Sequence, residues 1–124
     1  METTIRINGN QIKAKDLVLR GEMFFETNNF ILRGTKVNYR YESGKKTDLI
    51  DSISYFCVDP LTYNNIIFKT NTTKPIIAQD IIDKSTETIH ITVPINEAVI
   101  KIYKLEYGIL SLSITVPYIK IVES

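Results

Sequence analysis

The 124-residue chain has no tryptophan, one cysteine, one histidine, five glycines and four prolines. Each shortage excludes something. A lone Cys57 cannot close an internal disulfide, so the stapled framework of a small secreted domain is excluded and a reducing compartment is expected. One histidine and one cysteine give no ligand spacing for zinc, and no Asp-rich loop suits calcium. Only three alanines stand against 21 isoleucines, 13 threonines and seven tyrosines, which argues against a helical protein. The low glycine and proline content excludes collagen-like and low-complexity chains. Long apolar runs are also missing. The longest, Tyr107 to Ile119, is interrupted by serines and is too short to cross a bilayer. The opening Met1-Glu2-Thr3-Thr4-Ile5-Arg6 has no basic segment leading into an apolar one, so no export signal is expected. A cytoplasmic protein without membrane association follows as the expectation.

Net charge is nearly absent too: 15 basic side chains oppose 14 acidic ones. The balance is uneven along the chain. Residues 1–46 hold nine Lys/Arg and five Asp/Glu, a surplus of +4, whereas residues 47–100 hold three and seven, a deficit of −4. Neighbouring strands mix distant segments, so this segregation need not persist in space.

What is present reads as strand. Ile5-Arg6-Ile7 alternates and meets Asn8-Gly9, the strongest short hairpin signal, because both turn positions require positive φ. Leu17-Val18-Leu19 and Met23-Phe24-Phe25 are expected as strand pieces, followed by Phe30-Ile31-Leu32. The clearest strand is Thr35 to Tyr41. It places Val37, Tyr39 and Tyr41 on one face and Lys36, Asn38 and Arg40 on the other, and the tyrosine face is expected in the core. Ser43-Gly44 breaks this strand. A polar stretch then precedes a strand from Ile53 to Val58, which Asp59-Pro60 ends. Further strands are expected over Ile66–Thr70, Thr88–Val93, Ala98–Tyr107, Ile109–Val116 and Tyr118–Val122. One segment has helical spacing, with Thr73 as N-cap, Pro75 just inside, and Ile77/Ile81 and Ala78/Ile82 four apart; strand is its other reading. Many short strands separated by turns predict a single domain over residues 1–124. The fold expected is mostly β, a small antiparallel barrel of OB-like or PUA-like character with one short helix.

Catalytic constellations are weak. His90 falls on the polar face of an alternating strand, and no adjacent Ser or Cys arrangement marks it as a base. Cys57 alternates with Ile53 and Tyr55 as a small buried hydrophobe would. The Asp48/Asp51 and Asp80/Asp83 pairs read as solvated charges. Gly44-Lys45-Lys46-Thr47 lacks the earlier glycine of a phosphate loop, whose place is taken by Tyr39. No enzyme, no cofactor and no metal site is expected. Nucleic-acid binding is better supported. Arg20, Arg33, Lys36, Arg40, Lys45 and Lys46 interleave with Phe24, Phe25, Phe30, Tyr39 and Tyr41. Basic groups neutralise phosphates and aromatic faces stack unpaired bases.

The run Tyr41-Glu42-Ser43-Gly44-Lys45-Lys46-Thr47-Asp48-Leu49-Ile50, with Tyr55 and Val58-Asp59-Pro60 beyond it, carries a Gly-x-x-Thr-Asp-x-Ile element followed by a tyrosine-bearing strand. The closing Ile119-Lys120-Ile121-Val122 forms a last strand. In these features the chain resembles a family of small accessory and regulatory proteins of Gram-positive conjugative plasmids and transposons, PrgU-like or HelP-like. The resemblance implies a PUA-like β-barrel and a non-enzymatic accessory role on a mobile element. It implies action on RNA or single-stranded DNA, or on a protein that handles them. The six basic residues are the expected contact surface. The alternative is a protein-interaction module that binds a helicase, a conjugation component or itself.

Overall fold

The computed structural model describes residues 4–7, 9–13, 19–107 and 109–122. The fold is mostly strand, and the small β-barrel expected from the sequence takes the form of a curled, seven-stranded half-barrel. A separate hairpin precedes it, β1 (Thr4–Ile7) with β2 (Asn10–Lys13), closed between Ile7 and Asn10 with Gly9 at φ +80°. The main sheet comprises β3 (Asn29–Glu42), β4 (Lys45–Val58), β5 (Asn65–Thr70), β6 (Ile89–Thr92), β7 (Val99–Glu106), β8 (Ile109–Thr115) and β9 (Lys120–Ile121). Their order is β7-β8-β5-β4-β3-β6-β9. All pairings are antiparallel except β5–β8, which is parallel and joins only Phe68 to Ile114 and Lys69 to Thr115.

The concave face holds the core. Phe30, Leu32, Ile53, Tyr55, Cys57, Phe68, Ile91 and Ile114 are buried there. Three rings meet in it: Phe30 and Phe68 at 4.9 Å between centroids, Phe25 and Phe30 at 5.6 Å, and Phe25 and Phe68 at 5.7 Å. Such tilted and edge-on arrangements place positive ring edges against negative faces.

Several expectations need correction. Gly21–Met23 forms a 3-10 turn rather than a strand; Phe24 and Phe25 follow it, and of Leu17-Val18-Leu19 the first two lie outside the described residues. The turn packs where a Cβ on Gly21 would lie 1.9 Å from the Ile95 carbonyl oxygen, so only glycine fits. The helix, α1 (Gln79–Lys84), begins well after Thr73 and Pro75, and no side chain caps it. The preceding residues instead run through a series of bends and are tied down by tertiary bonds. The Ile76 amide donates to the Tyr55 hydroxyl at 3.0 Å. Where β6 has ended, the Thr35 amide donates to Gln79 Oε1 at 2.7 Å. The polar stretch after Gly44 is not a loop either. β4 starts at Lys45, immediately after a turn in which Ser43 and Gly44 have φ of +51° and +78°, the pattern of a type I′ hairpin. The last strand is shorter than expected, with Tyr118 before it.

Of three register shifts between β3 and β4, the first resets the faces of β3, and the other two fall in β4 opposite Asn38 to Tyr41. Between Leu32 and Gly34, β3 advances two residues while β4 advances one, so Arg33 is an extra, unpaired residue. A bulge of this kind reverses the inside–outside alternation. Even-numbered Phe30 and Leu32 point inward before it; odd-numbered Thr35 and Val37, paired with Tyr55 and Ile53, point inward after it.

Candidate nucleic-acid interface

β3 and β4 are each 14 residues long, yet their outer neighbours are short. β6 accompanies β3 only from Asn29 to Leu32, and β5 accompanies β4 only from Ile53 to Val58. The remainder forms a two-stranded arm with the Ser43-Gly44 turn at its tip. From Asn38 to Glu42 it extends about 13 Å at the usual rise per residue. Within the arm, the Thr47 hydroxyl donates to the Arg40 carbonyl at 2.7 Å and accepts the Leu49 amide at 3.3 Å. The threonine of the Gly-x-x-Thr-Asp element thus ties the two strands together.

The arm explains the largest sequence-level error. Tyr39 and Tyr41 share the inward face with Val37, as the alternation requires, but they stand beyond the core and are 37% and 68% exposed. Lys46, directly paired with Tyr41, sets its ammonium 4.4 Å from the centroid of the Tyr39 ring. An exposed cation–π contact of this kind contributes about 0.5–1 kcal/mol.

Of the six basic residues, three lie on the arm, Arg40, Lys45 and Lys46, and Lys36 stands at its base opposite Ser54; these four are all exposed. Lys46 shares the tyrosine face, while Lys36 and Arg40 occupy the opposite one. Arg33 is the bulge residue at the base. Arg20 lies apart from them, next to the Gly21–Met23 turn that packs against Ile95, at the opposite end of β3. The arm is not purely basic. Between Lys36 and Ser52, Glu42, Asp48 and Asp51 offset four positive charges to a balance of +1. Arg40 and Asp51 approach to 3.9 Å with both side chains more than half exposed, so their pairing is weak and open to competition by a phosphate.

The convex face of the sheet extends this surface with residues the sequence reading missed. Lys36 pairs with Ser54, Ser54 with Lys69, and Lys69 with Thr115. Phe56 pairs with Ile67, and Lys101 with Ser113. Direct cross-strand partners point to the same face, so Lys36, Lys69 and Lys101 share one side of the sheet with Phe56 and Ile67. No local motif links Lys69 or Lys101 to the basic first third; only strand pairing does. On this face Asn38 donates to Ser52 Oγ at 3.1 Å and to Ser54 Oγ at 2.8 Å.

The other candidates resolve simply. His90 is exposed on β6. Asp48, Asp51, Asp80 and Asp83 are exposed, and Asp83 accepts from the Gln79 amide group at 2.8 Å. Cys57 is 2% exposed, and burial pushes its thiol up to about 12, which leaves it a packing group rather than a nucleophile. Among the described residues no cluster of His, Cys, Asp and Glu is placed to hold a metal ion, and no helix is long and apolar enough to cross a membrane. Neither a family model, a curated protein nor a solved structure matches the chain.

Proposed function

We propose that this chain is a non-enzymatic accessory or regulatory protein of a conjugative mobile element, acting in the cytoplasm by binding RNA or single-stranded DNA. The observation that carries the reading is the arm. It brings Arg40, Lys45 and Lys46, with Lys36 at the base, together with two exposed tyrosines on a ribbon that pairs with no further strand among the described residues. Lysines and arginines there neutralise phosphates and fix a strand in place without reading its bases. Tyr39 and Tyr41 offer the sequence-tolerant stacking that unpaired bases use. The family resemblance of the Gly44–Ile50 segment, which forms the tip and the returning strand, supplies the mobile-element setting. The small net charge implies modest, salt-sensitive binding.

The test is a gel-shift salt series on single-stranded RNA and DNA. The triple variant Arg40→Ala, Lys45→Ala, Lys46→Ala should lower the slope of log affinity against log salt by about 2, at roughly 0.7 per lost phosphate contact. Binding with unchanged affinity and slope would refute the assigned surface.

One observation favours a second reading. Because β8 joins β5 only at Phe68 and Lys69, the β5 edge from Asn65 to Ile67 lies beside a cleft of about 390 Å³ lined by Phe24, Phe25, Asn64 and Leu112. An open edge next to an apolar cleft suits strand addition by a partner protein. Light scattering and capture of a purified helicase or conjugation component would separate this reading from the first.

A further inference from the structure

We infer that the convex sheet face, and not the arm alone, is the binding platform, and that its ligand is single-stranded RNA with a base seated between β5 and β8 beside Phe56. The inference rests on the nucleic-acid reading above and deepens it.

Three observations carry it. The first is a depression of about 450 Å³ on this face, lined by Ser54, Ile67, Lys69, Leu112, Ser113 and Ile114. It exists because the β5–β8 seam holds only two residue pairs, so the strands part and leave Leu112 and Ile114 as an apolar floor. Pockets of this size with an apolar floor and a few polar groups suit a small planar ligand. Next to it, Phe56 is 36% exposed and its cross-strand partner Ile67 is 52% exposed. An exposed phenylalanine on an open sheet offers a stacking face to a neighbouring base.

The second observation is charge. Lys36, Lys69 and Lys101 lie on β3, β5 and β7, on alternate positions along the order β3-β4-β5-β8-β7. At the usual strand spacing Lys36 and Lys69 are roughly 10 Å apart, and Lys101 is a similar step further. The paired positions between them are Ser54, Thr115 and Ser113, with the Phe56–Ile67 pair beside the row and no carboxylate among them. This lysine row complements a phosphate backbone running across the strands.

The third is the hydroxyl lining, which selects RNA over DNA. Ser54 Oγ accepts from Asn38, which leaves its own O–H to donate; Ser113 lies across the depression from it. A 2′-hydroxyl both donates and accepts, and it is the group by which a protein tells RNA from DNA.

The experiment is fluorescence anisotropy on the full chain with labelled oligo-uridylate of about 12 nucleotides, a length within the usual site size of a small barrel, and with its 2′-deoxy counterpart. RNA should bind at least about fivefold more tightly than the deoxy strand. Phe56→Leu should weaken RNA binding by about tenfold while Phe56→Tyr retains it, since only the latter keeps an aromatic face. The Lys69→Ala, Lys101→Ala pair should lower the salt slope by about 1.4. Circular dichroism and melting of each variant separate a lost contact from a lost fold. Equal affinity for both oligonucleotides refutes the RNA assignment. Wild-type binding by the Phe56→Leu and lysine variants, with binding abolished by Arg40→Ala, Lys45→Ala and Lys46→Ala, overturns the platform and leaves the arm reading standing. Absence of RNA and DNA binding by the wild-type chain overturns both.

Discussion

Truncating Phe68 to alanine is the sharpest test of the fold. Phe68 is fully buried and lies where the half-barrel is weakest: it pairs with Tyr55 on β4 and with Ile114 on β8, and it is one of two β5 residues that hold β8 at all. Its ring also touches Phe30 and Phe25. A buried Phe→Ala change costs about 3–5 kcal/mol. Two ring contacts and a seam that cannot close over the void place this site near the top of that range. Domains of this kind have about 5–15 kcal/mol in total, so roughly a third or more of the stability is at stake. The melting temperature should fall by about 15 °C, taking roughly 3–4 °C per kcal/mol at this chain length. Urea titration with fixed m-value measures the loss directly. A double-mutant cycle of Phe30→Leu and Phe68→Leu should return a coupling of about 0.5–1.5 kcal/mol. Hydrogen exchange adds a local readout, because the Val116 amide donates to the Lys69 carbonyl at 2.8 Å and closes the same seam; its protection should drop most. A loss below about 2 kcal/mol together with zero coupling would refute the three-ring core and the seam built on it.

Three further outcomes follow from single contacts. Burial raises the Cys57 thiol from its ordinary 9.0 to about 12. The folded chain therefore keeps a proton that the unfolded chain releases, and the associated stability is present below about pH 9 and is lost towards pH 12. The slope is about 1.4 kcal/mol per pH unit. The difference in urea midpoint between wild type and Cys57→Ala should shrink as pH rises through this window, and parallel profiles would contradict it. At the arm tip, Gly44 has φ +78° with open space where a side chain would stand, so Gly44→Ala should cost about 1 kcal/mol by backbone strain alone, whereas Ser43→Asn, at φ +51°, should stabilise; thermal melts that rank them the other way would reject the type I′ turn. Gly21→Ala would drive a methyl into the Ile95 carbonyl oxygen and should cost roughly 1–3 kcal/mol, with unchanged melting as the refuting result.

Local pattern carried much of the fold. Asn8-Gly9 marked the first hairpin and Gly9 does adopt positive φ. The alternation over residues 109–116 became β8, with Ile114 inward and Thr115 outward beside Lys69. The failures share a physical origin in non-local structure. Residues 45–52 have too few apolar positions to signal a core strand, because in this stretch only Ile50 packs against the core and residues 45–49 run out towards the exposed tip. The helix start signal at Thr73-Lys74-Pro75 was locally valid, but the bonds of the Ile76 amide to Tyr55 and of the Thr35 hydroxyl to the Ile77 carbonyl tie that segment down in a bent, non-helical path. The reversal at Arg33 is invisible to a period-two reading, since a bulge shows itself only against its partner strand. Lys69 and Lys101 escaped notice for the same reason: they join Lys36 only through the β3-β4-β5-β8-β7 order.

Both candidate surfaces arise from one mismatch of strand lengths. β3 and β4 outrun β6 and β5, so the excess becomes an arm whose inward tyrosines stand at and beyond the margin of the core, partly uncovered. At the other side β5 and β8 meet over too few residues to close, so an apolar floor shows through on the convex face. A sheet optimised for stability alone would trim the first and zip the second, because exposed rings and an open seam both forgo burial worth about 25 cal/mol per Å². The chain instead places Lys46 beside the exposed Tyr39 and Lys69 at the rim of the open seam. Aromatic or apolar surface left uncovered next to a cation is the pairing that a base with its phosphate fills. On the proposed nucleic-acid reading, lengthening β6 and β5 to cover the arm should raise the melting temperature and lower the affinity for single-stranded RNA together; a gain in stability with unchanged affinity would mark these features as merely frayed edges.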